Sequence, residues 1–576
     1  MGYLKKINKK LGKVFGGKVE ASEDGGLLIL SGELPGWRDV VRAGQMSVNK
    51  DCYDGLVNNI KCTGESPARP RMPAVRDSAL SGSTPDVLVI GGGIIGCAIA
   101  RELTRYKLGV LLVEKEHDVA MQTSSRNDGM VHSGIDLKKG TQKYRYNRLG
   151  NGMFADICAQ LGVRFDQCGQ YICLDKLYLK PFMQFSRLYW RWLGLRGVKV
   201  LGKKKLRMAE PAVSRDVCAA LFFPDTGLVC PYDLTIAYAE NAVHNGAEVS
   251  LNTMVRGMEV EDGTIKFVNT NRGKIYPKMV VNAAGVFCEE IAGMAGDRFY
   301  SIHPRKGTNA IIDKKYTGAI IQTAVSSMRD SSSKKAHSKG GGVMRTVDGN
   351  TLVGPDAQET IEKEDYSTMR HSVAATMHRL GKTSPNLAEN QIITYYSGIR
   401  APTYEEDFVV CKGRNTKNLI HAAGIQSPGL TAAPAIGVDV ANMVVELFGG
   451  KNAVGANDGF KPNRDAPPRL SALGDTERAA LIASNPDYGV IVCRCEEVSK
   501  GEILEALRRN IPCGTLDGVK RRVRPGMGRC QGGFCAPLVM EIIANEKGIT
   551  PREVRKSGFG SELLYGPTKE AQMNGV

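Results

Sequence analysis

Four cysteines late in the chain have the chemistry of a metal centre. Cys493 and Cys495 form a C-x-C pair; Cys530 and Cys535, after a gap of 34 residues, form a C-x4-C pair. Four thiolates suit a [2Fe–2S] centre. Structural zinc accepts the same number, though usually from pairs spaced C-x2-C to C-x4-C, so both metals stay open on spacing alone. Gly526, Gly528, Gly532 and Gly533 allow backbone N–H groups to approach the sulfurs, and Arg494, Arg529 and Lys520–Arg522 are expected to offset a cluster's negative charge.

A second constellation lies far upstream. DVLVIGGGIIGCAIARELTRYKLGVLLVEKE (86–116) reads as a buried strand, a glycine-rich turn, a helix and a second strand ending in an acid. Gly91 permits the tight turn, Gly93 lets the backbone approach a pyrophosphate, and Gly96 lets helix pack on strand. The helix start offers free N–H groups and a positive dipole to phosphates. Glu114, eighteen residues after Gly96, is placed to accept ribose hydroxyls. This element does not separate FAD from NAD; three further segments bear on that choice. TSSRNDGMVHSGID (123–136), with Ser124, Ser125 and Asn127, follows Glu114 at the distance where FAD enzymes place a second phosphate-contacting loop. KMVVNAAGVFCEEIAGMAG (278–296) is a strand ending at Ala284 and Gly285. The stretch 419–447 is a strand, a turn through Gly424, and a helix beginning at Gly429, Leu430 and Thr431. A late helix start of this kind can stabilise negative charge on a reduced flavin ring.

Three cationic residues and one histidine could handle a substrate. Arg400, in YYSGIRAPTYEEDFVV (395–410), carries a fork that suits a carboxylate or phosphate; its alternative is a structural ion pair with Glu405, Glu406 or Asp407. HPRKGTN (303–309) resembles the R/P-x-K-G segment of the glycerol-3-phosphate dehydrogenases, and that resemblance implies that Arg305 and Lys306 hold a phosphate dianion; the alternative is a surface turn. His132 is read either as a base that takes a hydroxyl proton or as a satisfied core histidine; His303 and Tyr396 are weaker bases.

These residues must be positioned by several folding units, since 576 residues exceed one ordinary domain. Residues 1–17 form a basic tail with amphipathic spacing at Leu4, Ile7, Leu11 and Val14–Phe15, read as frayed or as lying on an anionic surface. Residues 18–64 suggest a small α/β module, with strands at 26–34 and 55–64 around a helix at 37–48. Linkers are expected at 65–85 and 451–484, a main body at 86–450, a compact unit at 485–560, and a tail at 561–576. The polar stretch 329–342 is expected to be a mobile loop.

Composition excludes several classes. There is no secretory pattern and no run of about 18 apolar residues, and fifteen cysteines without a signal point to a reducing compartment. The expected location is cytoplasmic, or peripheral at the inner membrane face through partners. The net charge of +17 suits an anionic substrate, an acidic redox partner or an anionic membrane. Nucleic acid would call for a recognition module or a basic stripe interleaved with aromatics, and neither is read here.

The four nucleotide-binding blocks resemble the D-amino-acid-oxidase-like FAD oxidoreductases over about 360 residues. "SSRNDGMVHSGID", "GIRAP…DFVV" and "GIQSPGLTAAPAI" are most similar to two branches: the L-2-hydroxyglutarate dehydrogenases, and the large subunit of the anaerobic-type glycerol-3-phosphate dehydrogenases. The cysteine segment, with its G-x-G-x-C-Q-G-x-x-C ending, resembles the bacterioferritin-associated-ferredoxin-like [2Fe–2S] domain, and residues 18–64 resemble a BON-type module. The resemblance implies an α/β glutathione-reductase-type FAD-binding fold with an interleaved substrate domain. It also implies FAD, a [2Fe–2S] cluster and a protein electron acceptor. It adds a third reading of His132, as a covalent flavin link, because related amine dehydrogenases carry a histidine near this place. The implied reaction is oxidation of sn-glycerol 3-phosphate to dihydroxyacetone phosphate. A 2-hydroxy acid or amino acid substrate, and a non-catalytic iron–sulfur module, remain the alternatives.

Overall fold

The computed structural model describes residues 2–317, 324–327, 341–566 and 569, apart from 177 and 179; most of the stretch 329–342 lies outside them. Helix α1 (Tyr3–Phe15) stands where the sequence suggests a tail. Ile7, Leu11 and Phe15 recur at four-residue intervals and are buried against Leu28, Leu30, Val40 and Leu56, while the lysines face outward. Its apolar stripe is therefore consumed by the N-terminal module and is not available to a membrane. Strands β1 (Val19–Asp24) and β2 (Leu27–Leu34) pair antiparallel, α2 (Trp37–Ser47) crosses over, and β3 (Gly55–Asn58) returns parallel to β2. The strand expected at 55–64 breaks after Asn58 and resumes only as Lys61–Cys62.

The main body is built on two large sheets, with smaller sheets beside them. Strands β4 (Val87–Ile90), β5 (Val110–Val113), β6 (Glu248–Ser250) and β7 (Met279–Asn282) belong to the first. Next, β8 (Arg305–Ile312) and β9 (Ile392–Arg400) pair antiparallel in the second, a nine-stranded sheet. The chain then returns to the first sheet with β10 (Val409–Lys412) and β11 (Leu419–Ala423). The spatial order of the first sheet is β6-β5-β4-β7-β11-β10, parallel except for β10. In β4 and β5 every residue is apolar because both faces are covered: Val87 and Val89 enter one core, Leu88 and Ile90 the other. Helices α3 (Ile94–Leu103), α4 (Gln142–Leu161), α6 (Pro231–His244) and α7 (Gly429–Leu447) fill the first core, while α5 (Lys180–Trp192) lies on the second sheet. Among the described residues only α7 is long and apolar enough to cross a membrane, and it packs against α3 and α4 as a core helix.

The chain does carry a basic stripe interleaved with aromatics, contrary to the compositional expectation. Between Asp175 and Glu210 it holds ten lysines and arginines, six aromatic residues and no acid.

The stretch 451–484 is not a bare linker, since it contains the helix Asp475–Ser484. Beyond it, Val492, Ile503, Leu507, Val519, Val539 and Ile543 form the core of the C-terminal unit. That unit is clamped to the main body by ion pairs. Asp118 receives Arg522 and Arg521 at 2.8 Å, Asp348 receives Arg524 at 2.6 Å, and Glu240 receives Arg509 at 2.7 Å. Burial opposes ionisation of Asp118, but Arg522 and Arg521 outweigh it and hold its pKa down at about 2. A depressed carboxyl contributes stability that is complete above its unfolded pKa, near 4, and is lost as pH falls through the folded value. Asp118→Asn is expected to leave Arg522 buried without a counter-charge, at a cost of about 3–5 kcal/mol. Limited proteolysis between the units should report this as faster cleavage at neutral pH. The wild type should become equally sensitive only as pH drops from about 4 towards 2.

Candidate active site and metal centre

A cavity of about 610 Å³ opens where the starts of α3 and α7 and the end of β7 meet the face of β8 and β9. Its nucleotide side is shaped by glycine. Gly91 has φ +112° and a Cβ there would lie 2.5 Å from the Ala283 carbonyl; one on Gly96 would lie 1.9 Å from the Gly91 carbonyl. Gly93 caps α3 without a side chain and lines the cavity, with Ile94, Ser124, Asn127, Ala283, Gly285, Gly429 and Leu430. Ser124 Oγ accepts the Ile94 N–H at 2.8 Å, and Asn127 Nδ2 donates to the Thr123 and Ser124 carbonyls.

Other candidate residues stand behind this lining. Glu114 accepts the Gly92 N–H at 2.6 Å and the Glu116 N–H at 2.9 Å, and burial raises its pKa. Ser125 bonds the Gln122 carbonyl within its own turn, and Ala284 is displaced from the wall by Ala283 and Gly285. Gly424 has φ +65°, with Thr403 2.8 Å from where a Cβ would be. Thr431 Oγ1 accepts the His132 N–H at 2.9 Å.

The opposite wall is cationic. Arg305 of β8 stands directly across from Arg400 of β9, and Gly307 across from Gly398. Successive strand residues alternate faces, so both arginines line the cavity and Lys306 does not. Lys306 pairs instead with Asp365 at 2.8 Å and Ser367 at 2.9 Å, which removes it as a phosphate anchor. The segment is a buried strand, not a surface turn. Arg305 is held by Glu359 at 2.8 Å and Glu406 at 2.7 Å. Arg400 makes no ion pair among the described residues; its one hydrogen bond goes to the Asp356 carbonyl at 3.2 Å. Glu405 is taken by the Leu56 N–H and Asp407 by the Gln142 and Lys143 N–H groups. Burial, then the Arg305 charge, pulls the Arg400 pKa down. Asp128, Asp356 and Glu359 oppose that shift, but among the described residues none pairs directly with the half-buried guanidinium, so this wall can receive an anion. Gly307 leaves the space, since a Cβ there would sit 2.6 Å from Arg400 Nη2.

His132 lines the same cavity with Nε2 3.2 Å from Ser427 Oγ. Its carbonyl accepts Asn147 and Asn151 of α4, so its backbone is fixed between α4 and α7. His303 and Tyr396 are not in the lining: His303 is fully buried on Glu359 at 2.9 Å, and Tyr396 donates to the Asn127 carbonyl at 2.8 Å. Sequence reasoning missed Arg126, Lys143, Gln426 and Ser427, all in the lining. Arg126 stacks 4.1 Å from the centre of the Tyr366 ring. Glu406 binds Arg305, Lys143 and Gln426; although burial opposes it, Arg305 and Lys143 hold its pKa at about 2. Its turn (φ +53°) is braced by the N-terminal module, where Asn58 Nδ2 donates to Tyr404 Oη at 2.8 Å. Two helix starts whose N-cap residues, Gly93 and Pro428, provide no side-chain cap, and a cationic wall at Arg400, suit a pyrophosphate and an anionic substrate, so the cavity fits FAD.

The cysteines form two pairs. Cys495 and Cys530 have sulfurs 3.9 Å apart, and the Cys535 thiol meets Cys493. Two thiolates on one tetrahedral metal, with bonds of about 2.3 Å, lie about 3.7 Å apart. Each pair therefore suits one iron of a two-iron cluster. Backbone N–H groups of Phe534, Gly532 and Gly533 aim at Cys530 and lower its pKa, whereas burial pushes Cys535 up to about 12. A Cβ on Gly528 would lie 2.3 Å from Cys495. Of the basic residues expected to neutralise the cluster, Arg521 and Arg522 are taken by Asp118; Arg529 pairs with Asp313 but its charge still acts on Cys495, and Arg494 stacks on Phe534 of the cysteine loop. Cys513 is a core thiol. Cys495 and Cys530 are exposed and Cys493 and Cys535 buried, so one edge of the centre faces outward.

Comparison with known proteins agrees with both centres. Residues 86–443 match the family described as FAD dependent oxidoreductase, and residues 491–545 the BFD-like [2Fe-2S] binding domain. Glycerol 3-phosphate dehydrogenase of Caloramator mitchellensis is 37% identical over 487 residues, 84% of this chain and 99% of that protein. One subunit of the anaerobic glycerol-3-phosphate dehydrogenase of Escherichia coli K12 is 26% identical, with coverage of 80% and 87%. Among solved structures, dithionite-reduced L-alpha-glycerophosphate oxidase from Mycoplasma pneumoniae with FAD bound is similar with a TM-score of 0.61 and 27% identity, covering 67% of this chain and 100% of that one.

Proposed function

This chain belongs to the FAD-dependent oxidoreductase family, as an enzyme acting on CH–OH donors with FAD and a [2Fe–2S] cluster, and on that premise we propose that it oxidises sn-glycerol 3-phosphate to dihydroxyacetone phosphate. The observation that carries the proposal is Arg400, a half-buried cation that makes no ion pair among the described residues, in one cavity with His132. Bound FAD supplies a hydride acceptor and the cluster a one-electron outlet. Arg400 holds the substrate phosphate through its fork. Arg305, kept rigid by Glu359 and Glu406, adds positive potential behind it. His132 Nε2 takes the C2 hydroxyl proton as hydride departs, with Ser427 Oγ fixing the ring.

The space between cavity and cysteines is filled by protein. Met130 and Met344 of the lining share a core with Cys230 and Tyr232, and Tyr232 Oη lies 3.2 Å from Met527 Sδ in the cysteine loop. An electron-accepting protein would dock at the outward edge, beside the exposed Phe534. The E. coli relative is itself named as one part of a larger enzyme. We place the reaction in the cytoplasm.

Anaerobic mixing of the flavin-loaded chain with sn-glycerol 3-phosphate, L-2-hydroxyglutarate and an amino-acid panel tests this reading. Only the first is expected to bleach the yellow flavin absorbance promptly. Faster bleaching by a hydroxy acid or amino acid would overturn the substrate assignment, and no bleaching by any would favour a non-catalytic redox module.

A further inference from the structure

Helix α5 carries more apolar surface than the fold covers. Met183, Trp190 and Leu193, spaced by seven and three residues, turn inward; Trp190 meets Phe223 edge-on at 5.5 Å. The adjoining stripe, about 100° round the helix, is left outside: Phe182 is 65% exposed, Phe185 71%, Leu188 68%, Tyr189 53% and Trp192 62%. Large apolar side chains this exposed and this contiguous mark an interaction surface. Along the chain its flanks have one sign. Lys176, Arg187, Arg191, Arg196 and Lys199 are exposed, and no acid occurs between Asp175 and Glu210.

We propose that α5 seats the protein directly on an anionic lipid bilayer. Aromatic rings on one stripe with lysine and arginine beside them are the composition of an in-plane interfacial helix, whose rings enter the headgroup region while its cations meet anionic lipid. The seat also has a definite place relative to the cavity. Tyr144 Oη donates to the Leu193 carbonyl at 2.7 Å, Arg148 to the Gly194 carbonyl at 2.9 Å, and Lys139 Nζ lies 4.3 Å from the Trp192 ring centre. Lys138 and Thr141 of that same loop line the cavity, so the bilayer lies beside its mouth. Helix α1, the other amphipathic basic helix, has its apolar stripe buried and takes no part.

The test is sedimentation of the full, cofactor-loaded chain with large vesicles of phosphatidylcholine, alone or with one-quarter phosphatidylglycerol. Binding is expected only to the phosphatidylglycerol vesicles, and it should weaken as salt rises. The double substitution Phe185→Ser with Trp192→Ser is expected to lower partitioning about tenfold or more, with flavin absorbance retained as proof of folding. Arg187→Glu with Arg191→Glu should act likewise without touching the apolar stripe, and Lys5→Gln with Lys9→Gln should change nothing. Absence of binding to the anionic vesicles, or binding that survives both α5 variants, overturns the proposal. So does a dimer in solution that the same variants dissolve, or retention on duplex DNA, in either case without vesicle binding.

Discussion

Arg400→Ala is expected to lower kcat/KM for sn-glycerol 3-phosphate by two to three orders of magnitude while FAD stays bound. Removing one partner of a buried, charge-assisted contact costs about 3–4 kcal/mol, and each 1.36 kcal/mol is about a factor of ten. Most of the loss should appear in KM, because the guanidinium holds the phosphate before and during hydride departure. Stability should not fall in parallel. Among the described residues Arg400 makes no ion pair, so alanine breaks no direct carboxylate contact; Asp128, Asp356 and Glu359 act on its charge without pairing with it. Arg400→Lys restores the charge without the fork and is expected to recover part of the loss. Steady-state kinetics beside a urea midpoint separate these effects; unchanged kinetics would take Arg400 out of the substrate site.

The second large effect is expected from Cys530→Ser. Cys530 is the thiol at which three backbone N–H groups converge, so its loss leaves donors without an acceptor as well as removing a ligand. Iron content should fall to near zero and the cluster's visible absorbance should vanish. Flavin bleaching by substrate should keep its rate, since the cavity lies in another unit. Turnover with a one-electron acceptor should collapse. The buried core thiol Cys513 provides the control: Cys513→Ser should retain full iron. Normal iron in Cys530→Ser, or zinc in the wild type, would contradict the ligand assignment.

What the sequence disclosed depended on which level of structure enforces a residue. Gly91, Gly96 and Gly528 answer to the backbone itself, because a side chain at each would strike a neighbouring atom. Such demands leave fixed spacings that can be read in one dimension. The cysteine quartet is legible for the same reason. Lys306 was not, because which face it takes depends on the register of β8 against β9, and that pairing spans about ninety residues of chain. Arg521 and Arg522 look like neutralising charges until Asp118, four hundred positions away in sequence, is seen to claim them. Helices α1 and α5 make the same point in opposite directions. Both carry an amphipathic stripe with basic neighbours, and periodicity is indifferent to whether a partner covers it. The module core covers one; nothing among the described residues covers the outer stripe of the other. Arg126 and Ser427 escaped because their importance lies in lining a cavity assembled from many separate segments.

The most direct measurement is electron paramagnetic resonance on the iron-replete chain, frozen at intervals after anaerobic mixing with sn-glycerol 3-phosphate. The expected result is the signal of a reduced [2Fe–2S] cluster, rising after the flavin begins to bleach and absent from Cys530→Ser. Prompt bleaching with a cluster that stays oxidised however long the mixture stands would mean that charge does not pass from the substrate cavity to the cysteines.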